Sequence, residues 1–341
     1  MTTAAMTRRR GLGSRPYLLP LLAVAVVLAF AASLLVGPAA IGLPEIVKAM
    51  FGGRADTVAL IVGEVRLPRA LLGLTIGATL GLAGAALQGF LRNPLAEPGL
   101  VGVTASASLG AVLTFYTGLA GLFALALPLG GMAGACAGVI LVQGLAGRQT
   151  SSMTLILAGI AVTSFAAALT ALTLNLAPNP FAALEIMFWL MGSLADRSLE
   201  HVWLSAPFML AGWLLLATLG RPLDALTLGE DAAQTLGFSL HRLRHRLILG
   251  VALSVGAATS VAGAIGFVGL IVPHLLRPLV GHRPSALLPA SALGGAVLTL
   301  SADVAVRLIS PGHELKLGVL TALVGAPFFL FLILRLRRQL S

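Results

Sequence analysis

Three ionisable side chains stand inside otherwise apolar stretches of this 341-residue chain: His274, Asp303 and Arg307. Asp303 and Arg307 are four residues apart, which puts them on one helix face and predicts a local ion pair. Buried groups of this kind can also carry protons through a membrane, so a proton path is the competing use of the same residues. Catalytic chemistry finds little support. The only lysines are Lys48 and Lys316, and neither follows a glycine, so the Gly-Lys-Ser/Thr turn that cradles phosphates is missing. Neither HExxH nor GxSxG occurs, and only one carboxylate lies deep in an apolar run, too few for a facing carboxylate pair. The single cysteine, Cys136, excludes an intramolecular disulfide and any multi-cysteine metal site. The expectation is a chain with no catalytic residue, no resident metal and no ATP hydrolysis of its own.

The elements that position these residues are set by composition. Hydrophobic residues make up 58% of the chain and charged ones 10%, against about 25% charged in soluble proteins. So few charges cannot cover a soluble body, and a mean hydropathy of +0.99 agrees. The apolar surface therefore faces lipid. The 40 glycines suit helices that approach closely where no hydrophobic effect drives them together. Aromatics are only 6%, which argues against a membrane β-barrel with its aromatic girdles. The net charge of +10 would suggest nucleic acid in a soluble protein, but here the basic residues lie between apolar runs and mark topology.

Apolar runs fall at 17–36, 71–91, 100–116, 122–145, 155–176, 202–219, 247–265, 268–280, 287–309 and 317–334. The first follows Arg8, Arg9, Arg10 and Arg15 and is long for a secretory signal, so it reads as an uncleaved helix. The 268–280 run is short and carries Pro273, which predicts a broken or tilted helix. The fold class expected is an all-α membrane protein of ten transmembrane helices, one permease domain over 1–341, with both termini cytoplasmic. Alternating sides then divide the 22 Lys and Arg residues 15 to 7 in favour of the cytoplasm, as positive residues require. A hydrophilic segment at 41–69 lies outside. Another, at 220–246, lies inside and has room for one or two short surface helices. Gly77-Ala78 and Ala83-Gly84-Ala85 recur as Gly256-Ala257 and Ala262-Gly263-Ala264, with Pro94 recurring as Pro273. Five spans separate the copies, so spans 2–5 and 7–10 form an inverted repeat.

The stretch Arg66-Leu67-Pro68-Arg69, then Gly84-Ala85-Ala86-Leu87-Gln88-Gly89, then Arg92-Asn93-Pro94-Leu95-Ala96-Glu97-Pro98-Gly99-Leu100, resembles the FecCD family of permeases. Further matches are Leu157-Ala158-Gly159, Gly192-Ser193-Leu194, Leu228-Gly229-Glu230-Asp231-Ala232 with Leu236-Gly237, Gly266-Phe267-Val268-Gly269 through His274, and Gly325-Ala326-Pro327. The resemblance implies the membrane subunit of a type II ABC importer for ferric siderophores, haem or vitamin B12, in a bacterial inner membrane. It implies a second permease subunit, the same or homologous, two cytoplasmic ATPase subunits that bind ATP and Mg, and a periplasmic substrate-binding protein.

Roles carried over by the resemblance are these. Arg66, Arg69 and Arg307 are expected to dock the binding protein, since exposed charge orients docking. Gly229, Glu230, Asp231, Ala232, Leu236 and Gly237 are expected to form the coupling helix that enters a groove of the ATPase, with Glu230 and Asp231 favouring its N-terminus. Asn93 and Leu95, with Ser152 and Met153, resemble cytoplasmic gates. Three places depart from the family pattern: Lys316-Leu317 replaces a usual Pro-Val, Thr104-Ala105-Ser106-Ala107 replaces Ser-Ser-Gly-Ala, and Gly263-Ala264-Ile265 replaces Gly-Pro-Ile. A ferric siderophore is the expected cargo, with haem or a corrinoid as alternatives. On the residues alone, an ion-gradient-driven secondary carrier also remains open.

Overall fold

The computed structural model describes residues 17–51, 57–147, 152–177, 179–310 and 315–340, with the backbone alone at 50, 51, 152 and 335–340. Arg8, Arg9, Arg10, Arg15, Arg54 and Arg148 of the charge count lie outside the described residues. Among the described residues every regular element is helical.

The first helix, α1 (Leu18–Leu35), is apolar on all sides and only 17% buried, which places it on the lipid-facing rim. A short amphipathic helix, α2 (Leu43–Phe51), follows. Next, α3 (Thr57–Leu60) runs through a π turn at Ile61–Arg66 into α4 (Leu67–Leu91). Together they make one 35-residue helix, so the second span begins well before the apolar run and absorbs the end of the expected 41–69 segment. The π turn precedes Pro68, whose missing N–H and ring would otherwise break the helix, and Leu67 bonds back to Val62 across it. Glu64 reaches solvent there while Arg66 turns inward.

Helices α5 (Val103–Tyr116), α6 (Ala126–Ala146) and α7 (Ser152–Asn175) follow the sequence pattern closely. Then comes a helix the apolar runs did not announce, α8 (Pro180–Leu190). Asn179 accepts a hydrogen bond from the Ala182 N–H at 2.9 Å and Pro180 occupies the first turn, so local capping starts it. Next are α9 (Leu199–Ala217), α10 (Gly220–Leu226) and α11 (Glu230–Thr235). Helix α12 (Leu240–Ala262) begins seven residues before its apolar run, because Ser239 caps it and its first turns project arginines from the membrane. After an extended stretch come α13 (Val268–Leu276), continued by a 3-10 turn at Arg277–Val280, then α14 (Pro284–Ile309) and α15 (Leu317–Leu340).

All ten predicted runs therefore fall on helices. Among the described residues eight helices are long and apolar enough to cross a membrane; Val103–Tyr116, Pro180–Leu190 and Val268–Val280 are shorter. At about 1.5 Å per residue, α13 spans roughly 14 Å, half a hydrocarbon core. Its start is irregular backbone that lies against protein, where polar groups are tolerated within a bilayer. Arg92, Arg221, Arg242 and Arg283 gather near α10 and α11, and Arg69 and Arg307 meet at Asp303.

The core is built on glycine. A methyl group at Gly81 would lie 1.9 Å from the Ser291 carbonyl oxygen, and one at Gly295 would lie 2.1 Å from the Gly77 carbonyl, so α4 and α14 cross with backbones touching. Span two packs on span nine, and span seven packs on spans six and four. Gly77 meets Gly295 and Ala296 of span nine, and its counterpart Gly256 meets Ala135 of span four. Gly81→Ala is expected to cost at least about 2 kcal/mol, since a rigid carbonyl must move. Gly144→Ala, with nothing within 4 Å, should be neutral or slightly stabilising. Thermal unfolding of the detergent-purified chain measures both; equal melting temperatures would refute the contact.

Candidate functional site

The inner end carries the expected docking helix. Helix α10 buries Leu223 and Leu226, the chain turns at Thr227–Gly229, and α11 rises from it. Gly229 has φ 109° and Gly237 has φ 86°, and a methyl group at either meets nothing within 4 Å. Backbone conformation, not space, therefore calls for glycine at both. At the C-terminus of α11 the Gly237 N–H donates to Gln234 at 2.8 Å and the Phe238 N–H donates to Ala233 at 3.0 Å. This pair of bonds ends a helix sharply on a left-handed glycine. Ala233 is fully buried and pins α11 to the body, while Glu230, Asp231, Leu236 and Gly237 face outward, with Ala232 half-buried. Leu228 is 71% exposed and Leu236 is 59% exposed, one on each side of the helix. The six-residue helix carries two exposed carboxylates and is flanked by two exposed leucines. Glu230 also lies 3.8 Å from Arg92, which ties the knob to the end of the second span.

The expected gate residues sit at the same end. Asn93 accepts a hydrogen bond from the Leu95 N–H at 2.9 Å and so folds its own turn. Leu95 is half-buried and Met153, at the start of α7, is 64% exposed. Ser152 opens α7, and its side chain lies outside the described residues.

The outer end holds a buried charge cluster. Asp303, 1% exposed, accepts hydrogen bonds from two nitrogens of Arg69, Nε at 3.0 Å and Nη2 at 2.9 Å. Its other oxygen lies 2.8 Å from Nη2 of Arg307. The local Asp303–Arg307 pair is thus present, with Arg69 added from across the fold. Arg307 donates to the Ser33 carbonyl at 2.9 Å, the Val36 carbonyl at 2.5 Å and the Ser33 hydroxyl at 2.8 Å. Arg66 donates to the carbonyls of Leu34, at 2.7 Å, Leu35 and Ala39. Two arginines therefore satisfy the orphan carbonyls at the C-terminus of α1, where positive charge is favoured. For Arg66, Arg69 and Arg307 docking was the expectation; within this chain all three turn inward and hold α1 to α4 and α14. The sequence shows the charges but not the peripheral helix whose ends need them.

Two features carried no earlier role. Gln88, buried in α4, donates to the carbonyls of Gly269 and Leu270, each at 3.3 Å, and accepts from Arg277 at 2.6 Å. It fastens the half-helix α13 to the second span; a glutamine in an apolar run was the available signal. Glu97, in the turn between the second and third spans, accepts from the Phe267 N–H at the mouth of α13. Burial pushes its carboxyl above the usual carboxylate range, and that hydrogen bond pulls partly back. Because the folded state binds the proton more tightly, wild-type stability should rise as pH falls from neutral through the raised value. Glu97→Gln should remove that pH dependence and be at least as stable at pH 7, while Glu97→Ala should lose about 1 kcal/mol by orphaning the N–H. Melting temperatures from pH 7 to 4.5 test this; parallel profiles for wild type and Glu97→Gln would refute it.

Above α8, an outer cavity of about 600 Å³ is lined by Glu185, Asp196, Arg197, Lys316, Phe188 and Trp189 among others. Lys316 lies 5.6 Å from the Phe188 ring centroid, so the residue that departs from the family pattern faces this cavity.

The FecCD transport family matches residues 24–335. The Fe(3+) dicitrate transport system permease protein FecD of Escherichia coli is 41% identical over 278 residues, covering 81% of this chain and 86% of that protein. The vitamin B12 import system permease protein BtuC of Vibrio cholerae is 41% identical over 283 residues, covering 81% and 83%. A solved structure described as an inward-facing conformation of a metal-chelate type ABC transporter aligns with a TM-score of 0.83 and 32% identity, over 94% of this chain and 99% of that one.

Proposed function

This chain belongs to the FecCD transport family, and from that premise we propose that it carries a ferric chelate from the outer to the inner face of the membrane, driven by a separate ATPase. It is an ABC importer permease and a multi-pass protein of the inner membrane. The observation that carries the proposal is the exposed α11 knob, with Leu228 and Leu236 bare and glycine turns at both ends. Such a surface needs a partner on the cytoplasmic side. An ATPase there holds ATP and Mg and supplies the work; this chain binds no cofactor. A second permease subunit and an outer binding protein complete the assembly. Helices α7 and α15, less than a third buried, leave broad apolar faces for the second subunit.

The cargo reading is supported by the FecD relative and by the outer cavity, where Arg197 and Lys316 can meet an anionic chelate and Phe188 and Trp189 its organic shell. A corrinoid is the second reading, favoured by the equally similar BtuC relative. The permease reconstituted with its ATPase and binding protein into liposomes should take up labelled ferric chelate with ATP on the α11 side. Uptake by the permease alone under an ion gradient would sink the importer reading in favour of a secondary carrier. Uptake of cyanocobalamin with no ferric chelate uptake would move the cargo to corrinoids.

A further inference from the structure

Helix α12 carries one stripe whose character changes along its length. Arg242 and Arg246 are followed on the same face by Leu249 and Leu253, at helical intervals of four, three and four residues. The two arginines, both exposed, line a cavity of about 590 Å³ with Arg221, Thr218, Ser239 and Ser285. Among the described residues no acidic side chain lines it directly. Asp224 stands behind the lining residue Ser285, accepting from its N–H at 2.8 Å and its hydroxyl at 2.6 Å, and lies 3.8 Å from Arg283. Arg244 donates to the Gly147 carbonyl at 3.1 Å. Three guanidiniums thus share a polar cavity with one carboxylate behind its wall, an excess of positive charge.

Leu249 and Leu253 lie about 4 to 10 Å further along the helix axis. They line an apolar groove of about 370 Å³ between α6, α9 and α12, together with Ile140, Phe208 and Ala252. Ile140 and Leu249 are exposed, so the groove opens sideways on helices that cross the membrane. A basic cavity followed along the same helix face by an apolar groove has the polarity of one amphiphile.

We propose that this surface is a binding site for an anionic phospholipid, with the phosphate held by Arg221, Arg242 and Arg246 and an acyl chain in the groove along Leu249 and Leu253. Charge complementarity selects the anionic headgroup, since basic pockets between helices on the cytoplasmic side bind such lipids. The site touches α11 through Gly237 and Phe238, which also line the basic cavity. The bound lipid therefore buttresses the base of the ATPase-facing knob.

The test is native mass spectrometry of the full permease in complex with its ATPase, titrated with phosphatidylglycerol or phosphatidylcholine of equal chain length. Wild type should retain phosphatidylglycerol at least about tenfold better than phosphatidylcholine. Combined Arg221→Gln, Arg242→Gln and Arg246→Gln should erase that preference, and lysine at the same positions should keep most of it. Ala252→Phe, which fills the groove and leaves the arginines in place, should lower retention of both lipids. Millimolar inorganic phosphate should not displace the lipid. Equal retention of the two lipids, or a triple variant that keeps the preference, would overturn the proposal. So would Ala252→Phe without effect, or displacement by phosphate alone, which would mean a free-anion site. Loss of the ATPase from the triple variant with lipid retention unchanged would overturn it as well, assigning the arginines to the protein partner.

Discussion

Asp303→Ala is expected to destabilise the folded chain by about 3–5 kcal/mol, the largest loss of any single side chain considered. The reason lies in what remains. Arg69 and Arg307 would face each other in a site where Asp303 is 1% exposed, with their shared counter-charge gone. Arg307 would keep its bonds to Ser33 and Val36, but Arg69 would lose both of its hydrogen bonds to carboxylate. Asp303→Asn should cost less, because the amide still accepts one bond, yet it cannot neutralise either charge. The double variant Asp303→Ala, Arg69→Met should lose less than the sum of its parts, since removing a charge relieves the repulsion. Thermal and denaturant unfolding in detergent measure all three. Accessibility of a cysteine placed in α1 should rise in parallel, because the cluster fastens that weakly buried helix. A loss below 1 kcal/mol for Asp303→Ala would show that the cluster is screened by water and holds nothing.

The second large effect is functional. Gly229→Val with Gly237→Val should leave the fold nearly intact and reduce ATP-driven uptake at least about tenfold, a coupling loss of 1.4 kcal/mol or more. Neither built methyl group meets an atom within 4 Å, so the body of the protein has no clash to relieve. Each position nevertheless holds a backbone that costs a β-branched residue about 1–2 kcal/mol or more. The chain escapes that strain by rotating α11, and the exposed leucines then miss their partner. Glu230→Gln added to these changes also releases Arg92. Transport in liposomes, measured beside melting temperature and membrane insertion, separates coupling from folding. Full uptake by a stably inserted variant would remove α11 from the mechanism.

Parts of this architecture were legible in local pattern alone. Hydropathy depends only on neighbouring residues, so all ten runs landed on helices, and Pro273 marked the helix that is short. The 220–246 segment read as room for one or two short helices, and the family resemblance, not local pattern, put one of them at α11. Boundaries were less legible. The second span starts at Thr57 because a π turn accommodates Pro68, a detail hydropathy does not register. Helix α8 was missed because eleven residues opened by Asn179-Pro180 are too few to stand out as a span.

The sequence by itself determined that this is a helical membrane protein and where its long apolar helices lie. Each of these follows from properties that residues carry wherever they are placed: transfer free energy, charge and backbone preference. Only the tertiary structure decided what the outer arginines do. Arg69 and Asp303 are 234 positions apart, and Arg66 and Arg307 find carbonyls on a helix more than 30 and 270 residues away. A buried charge takes whichever partner the packing brings to it, and glycine contacts between α4 and α14 bring Asp303 to Arg69. The same packing set Arg221 beside Arg242 and Arg246, which no spacing along the chain could announce.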